Sequence, residues 1–161
     1  MSKSKKLTLY AVIAFVLLFL VFIAREAYAE SAVEIVPGVS WVGSERYTGA
    51  GAMFVERFAD KYDAALILMT PQECSGCKRP DYSGNAGVHL QRMVSWGPVE
   101  LGLGGAYWAN QTPAWSSNTT FALSAGITHG PVEIRWRHYS TGGSSARNSG
   151  LDMVTLGWRF R

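Results

Sequence analysis

From residue 30 onward the chain runs in segments of about ten residues in which apolar and polar positions alternate, separated by turn-forming residues. This period of two predicts β-strands, since successive side chains of a strand point to opposite faces. Eight strands are expected, over about 33–43, 50–59, 62–70, 87–96, 99–109, 119–128, 131–141 and 151–160. In the fifth, Val99, Leu101, Leu103 and Tyr107 share one face, with Glu100, Gly102, Gly104 and Ala106 on the other. In the sixth, Phe121, Leu123, Ala125 and Ile127 oppose Thr120, Ser124, Gly126 and Thr128. No amphipathic helix, internal repeat or low-complexity tail stands out beyond residue 30.

The connections alternate in length. Asp60-Lys61, Gly97-Pro98 and Gly130 mark tight turns, whereas 44–49, 71–86, 110–118 and 142–150 read as longer polar loops. Short turns at one end and long loops at the other are the pattern of a transmembrane β-barrel. A soluble sandwich would alternate too, but its apolar face needs a second sheet. A closed barrel turns that face to lipid and leaves no unpaired edge. The expected fold is therefore all-β, an eight-stranded antiparallel transmembrane barrel over residues 30–161. Two charges break the pattern: Glu56 shares a face with Phe54 and Phe58, and Arg92 one with Val88, Leu90 and Val94. Either they lie near the membrane interface or the strand register slips there. Phe160, one before the last residue, imperfectly matches the terminal aromatic common in outer-membrane barrels.

Residues 1–29 have a different character. Lys3, Lys5 and Lys6 precede an uncharged run from Leu7 to Ala24, and Ala27-Tyr28-Ala29 forms a small-x-small cleavage site. This predicts a signal peptide, with an uncleaved signal anchor as the alternative. Either way the barrel folds outside the cytoplasm.

The whole chain carries 15 basic and 12 acidic side chains, but without residues 1–29 it carries 11 of each. A near-neutral domain excludes a nucleic-acid partner argued from charge. Cys74 and Cys77 are the only cysteines, too few for a tetrahedral zinc site. Export favours a small loop disulfide, with free thiols as the alternative. No metal or cofactor is expected.

Candidate chemistry lies at the end of the seventh strand. There Val132, Ile134, Trp136, His138 and Ser140 share one face, with Glu133, Arg135, Arg137 and Tyr139 on the other. The charged set belongs inside the barrel, where acid and arginines pair, so His138 and Ser140 fall on the outer wall near the loops. Residues i and i+2 of a strand have Cα atoms roughly 6.5 Å apart. A histidine within reach of a serine is a minimal activated nucleophile, and a third group must hold its tautomer. Antiparallel pairing across 142–150 would bring Asp152 beside His138, making a Ser140/His138/Asp152 triad. The plainer reading is interfacial polar residues satisfied by water, with Ser140 serving the following turn.

The stretch His138-Tyr-Ser-Thr-Gly-Gly, followed by Asn148 and Asp152, resembles the signature of the PagL family of lipid A 3-O-deacylases. The strong part of the resemblance covers 132–160. It implies an eight-stranded outer-membrane barrel of a Gram-negative bacterium, with its site facing lipid. The activity implied is hydrolysis of the 3-O-linked hydroxyacyl chain of lipid A, with lipopolysaccharide and outer-membrane lipid as partners. By position, Ser140 would be the nucleophile, His138 the general base and Asp152 the acidic member, where the family usually has glutamate. Asn148 matches a supporting asparagine. The family asparagine after the serine is here Thr141, which removes an oxyanion donor and leaves that role to the backbone around Gly142 and Gly143. Two other classes compete: a non-catalytic structural or adhesion barrel, and a soluble periplasmic barrel that binds a lipid.

The remaining prominent residues have simpler expected places. His89 is read as a lumen residue and His129 as a solvated turn residue. Trp41, Trp96, Trp136 and Trp158 are read as interfacial or lipid contacts. Arg147 is either a loop charge or a contact to a lipid A phosphate.

Overall fold

The structure is a computed structural model that describes residues 30–59, 61–78, 80–112, 117–142 and 150–160. The expected leader, Gly143, Arg147 and Asn148 lie outside the described residues. Ten strands follow one another: β1 (Glu30–Val36), β2 (Val39–Val42), β3 (Glu45–Thr48), β4 (Gly51–Phe58), β5 (Tyr62–Met69), β6 (Asn85–Trp96), β7 (Val99–Trp108), β8 (Thr119–His129), β9 (Val132–Ser140) and β10 (Leu151–Phe160). Each pairs antiparallel with its neighbours, and β1 pairs with β10 to close the sheet on itself. β1 and β2 occupy one barrel position and β3 and β4 the next, so the closed barrel has eight staves.

Two breaks divide these first staves, at Pro37-Gly38 and at Gly49-Ala50. The first one shifts register. Ile35 opposes Leu156 on β10, yet Ser40 opposes Met153, so five steps along the first stave match three along the last. Two extra residues are thus absorbed as a bulge. Inward and outward parity survives because the shift is even.

The alternating pattern separates cleanly into an inside and an outside. Val33, Ile35, Phe54, Leu101, Leu103, Phe121, Ile127, Ile134, Leu156 and Trp158 are exposed on the outer wall. Trp41, Trp96 and Trp136 are exposed there too. The inner wall carries charge. Arg137 and Glu34 form a fully buried pair, and Glu34 also accepts the Thr155 hydroxyl at 2.7 Å. Nearer the short turns, Glu100 accepts from Arg57, Arg135 and Arg159, and Arg57 also pairs with Asp63 at 2.7 Å. Buried charges are retained only when paired, because an uncompensated one costs several kcal/mol, roughly 3–5. Toward the long-loop end the interior turns aromatic. Trp108 meets Tyr139 edge-on with ring centroids 5.0 Å apart, and the Tyr139 hydroxyl lies 2.9 Å from His89 Nδ1. His89 is therefore a lumen residue, and His129 is exposed beside the β8–β9 turn.

One expected loop is instead a strand. Residues 45–48 pair with β2 from Val39↔Thr48 to Val42↔Glu45, leaving a tight turn at Gly43-Ser44 in place of a 44–49 loop. The outward Arg46 and Thr48 make this segment look polar, while Tyr47, fully buried, seats it against the interior. The register does not slip at Glu56 or Arg92, since both lie in unbroken ladders near the short turns. Glu56 is buried and accepts the Ser31 hydroxyl at 2.7 Å. Cys74 and Cys77 form a disulfide within the 70–84 connection, which folds back on β3 through a Thr48↔Glu73 bridge. Among the described residues there is no helix long and apolar enough to cross a membrane, which says nothing against crossing by strands.

Candidate active site on the outer wall

β9 and β10 pair so that Asp152 sits directly opposite His138. Opposed side chains of a non-slipped ladder lie on the same face, and here both lie outward. His138 Nδ1 is 2.9 Å from Asp152 Oδ1. The same oxygen accepts the indole N–H of Trp136 at 3.1 Å. Trp136 also stacks on the imidazole, with centroids 5.8 Å apart and planes inclined by 24°. The indole can only donate, so Oδ1 is an acceptor. With His138 Nδ1–H donating to it as well, the neutral form of the ring presents its lone pair at Nε2. The pair is neither sealed nor fully solvated, at 24% and 27% side-chain exposure.

The free edge of the ring faces the loop end. A Cβ built on Gly150 would come within 2.5 Å of His138 Cε1 and 3.1 Å of Nε2. Gly150 lies one residue beyond the Leu151↔Tyr139 pair, at the level of Ser140. Its φ of +67° belongs to the left-handed region, where L side chains are disfavoured. Gly150 is thus a residue that only glycine satisfies twice over. Ser140 is half-buried, opposes Phe121 on β8 and shares the outward face of β9 with His138. Among the described residues no hydrogen bond joins Ser140 to His138. The arrangement is an oriented His–Asp dyad with a serine in the adjacent row.

The expected oxyanion region is described only in part. Thr141 is half-buried, and Gly142, with φ +70°, lies over the Phe121 ring, where a Cβ would approach Cε2 within 2.7 Å. Gly143 and Asn148 lie outside the described residues.

Below Trp136 the outer wall has a hollow of about 550 Å³. It exists because Ala125 is small where its outward neighbours Ile127, Ile134, Trp136 and Val154 are large. Sequence reasoning alone did not single out Gly150, Ala125 or the donor role of Trp136. The available signal for Trp136 was its position two residues before His138. For Gly150 and Ala125 only cross-strand register exposes the role.

No family model matches the sequence, and no curated protein matches it. The crystal structure of the outer membrane enzyme PagL aligns with this chain at a TM-score of 0.42 and 15% identity, over 83% of this chain and 99% of that one.

Proposed function

We propose that the protein is an exported outer-membrane serine esterase that removes the 3-O-linked hydroxyacyl chain of lipid A. The observation that carries this reading is the His138–Asp152 hydrogen bond on the apolar outer wall, with Ser140 in the next row. A polar dyad on a lipid-facing surface costs free energy unless it has a task or a polar neighbour. The sequence resemblance over residues 132–160 supplies the substrate class.

The chemistry is two-step acyl transfer. Ser140 Oγ attacks the ester carbonyl carbon while His138 Nε2 takes its proton. The carbonyl oxygen becomes an oxyanion, met by backbone N–H groups around Gly142 and Gly143. The sugar oxygen departs with the proton from Nε2, leaving an acyl-serine. Water, deprotonated by Nε2, then attacks that ester and releases the hydroxy fatty acid. Asp152 and Trp136 hold the imidazole tautomer throughout. The hollow below Trp136 is suited to the acyl chain, since an ester held at the headgroup boundary sends its chain along the outer wall.

A soluble lipid carrier would keep an apolar lumen and a polar exterior; here the lumen is charged and the exterior apolar. That inversion favours the membrane reading, and the 1–29 segment fits export to it. The second reading, a non-catalytic barrel, draws on the lack of a Ser140–His138 hydrogen bond among the described residues and on Thr141. The test is release of 3-hydroxy fatty acid from lipopolysaccharide by the wild type and by Ser140→Ala in outer-membrane vesicles. Release by the wild type and none by the variant supports the esterase. No release by the wild type, in a correctly folded barrel, sinks it.

A further inference from the structure

The row of outward side chains that holds the dyad continues past Asp152. Asp152 opposes Trp41 on β2, and Trp41 opposes Arg46 on β3. Read across the barrel, the row is Leu123, His138, Asp152, Trp41, Arg46. Neighbouring strands are about 4.8 Å apart, so Arg46 stands roughly 14 Å from His138. A phosphorylated sugar headgroup together with the long arginine side chain spans that separation.

Arg46 is exposed, and its place on the apolar wall is unlike that of the inward arginines. Arg57, Arg135, Arg137 and Arg159 are all ion-paired, whereas Arg46 makes no ion pair among the described residues. Its surroundings are held in place. The Cys77 Sγ lies 4.0 Å from the Arg46 carbonyl oxygen, and the Lys78 backbone N–H donates to Glu45 at 2.7 Å. The disulfide-closed turn therefore sets a second exposed cation, Lys78, beside the same rim. A guanidinium on an outward wall at the headgroup level calls for an anion there, and its planar fork matches phosphate in bidentate fashion.

We propose that Arg46, seconded by Lys78, is a receptor for a phosphomonoester on the headgroup of the acylated glycolipid, and that it sets the orientation in which the ester reaches Ser140. This rests on the esterase reading for the identity of the glycolipid. The bulge at Pro37-Gly38 is what creates the site. Without its two extra residues Val39, not Trp41, would face Asp152, and Arg46 would move out of the row.

The experiment compares bisphosphorylated lipid A with its enzymatically dephosphorylated form, each in neutral detergent micelles. Binding is measured on the Ser140→Ala background, so that it does not depend on turnover, and hydrolysis on the Ser140 background. Arg46→Gln is expected to lower the preference for the phosphorylated form about tenfold in both measurements. Arg46→Gln with Lys78→Gln lowers it further, and Lys61→Gln at the opposite rim leaves it unchanged. An unchanged preference in Arg46→Gln overturns the receptor, whatever the hydrolysis shows. Loss of hydrolysis by the parent protein with the binding preference intact counts against the esterase alone. A third arm places dephosphorylated lipid A in phosphatidylglycerol micelles. If Arg46→Gln weakens binding there as strongly, Arg46 serves the anionic membrane at large and the substrate-phosphate proposal fails.

Discussion

Gly150→Ala is the change whose outcome follows most directly from the geometry. The new Cβ would lie 2.5 Å from His138 Cε1. Carbon atoms in contact prefer about 3.5 Å or more, so the ring must retreat by about 1 Å. Asp152 and the stacked Trp136 hold the other side of that ring, and the retreat strains both contacts. A misplacement of about 1 Å in a reacting group can lower turnover about 100-fold. Alanine at φ +67° adds a backbone penalty of roughly 1–2 kcal/mol. The two effects are separable, because Gly97, in the β6–β7 turn far from the site, has φ +59° and nothing within 4 Å of a built Cβ. Gly97→Ala therefore carries the backbone penalty without the ring contact. Both variants would be refolded into detergent micelles, with urea midpoints from heat-modifiable gel mobility and fatty-acid release measured beside them. Similar losses of stability are expected, with turnover lost only in Gly150→Ala. Turnover by Gly150→Ala within about threefold of Gly97→Ala would refute the assignment of the His138 ring edge as the reacting edge.

Other substitutions probe separate parts of the structure. Asp152→Asn keeps the shape but favours the wrong imidazole tautomer, and kcat should fall by a factor on the order of 10³–10⁴ with KM little changed. Trp136→Phe removes one donor to Asp152 Oδ1 and should lower kcat about tenfold; an effect confined to KM would instead mark Trp136 as a lipid contact. Glu34→Ala leaves Arg137 buried without its carboxylate and should destabilise the barrel by roughly 3–5 kcal/mol, read from urea unfolding in micelles. Ala125→Phe fills the hollow below Trp136, so hydrolysis of long-chain esters should fall while short-chain esters still turn over; equal loss for both would detach the hollow from acyl binding.

Much of the architecture was legible because strand parity is a local property. Once Val132, Ile134 and Trp136 declare the outer face of β9, Glu133, Arg135 and Arg137 have no place but the inside, and His138 and Ser140 are carried outward with their neighbours. The loop expected at 44–49 shows where this reasoning stops. Arg46 and Thr48 are polar because they stand at the rim, and a single inward Tyr47 is too little signal to distinguish a strand from a loop. Glu56 left two readings open, and its partner decides between them only in the fold, because the Ser31 hydroxyl that it accepts comes from twenty-five residues away in the chain.

What the sequence by itself determined is therefore the set of facing relations within each strand: which residues look inward and which outward. Those follow from the pleat, which repeats every two residues whatever the neighbours do. What only the tertiary structure decided is most of the cross-strand register. Pairing across 142–150 already placed Asp152 beside His138, but the Trp136 donation, the ring edge against Gly150 and the Trp41–Arg46 extension of the row came from the folded barrel. Register is set by turn lengths, by the bulge at Pro37-Gly38 and by closure of β1 on β10. The bulge and the closure act between residues more than a hundred positions apart, and no local pattern carries them.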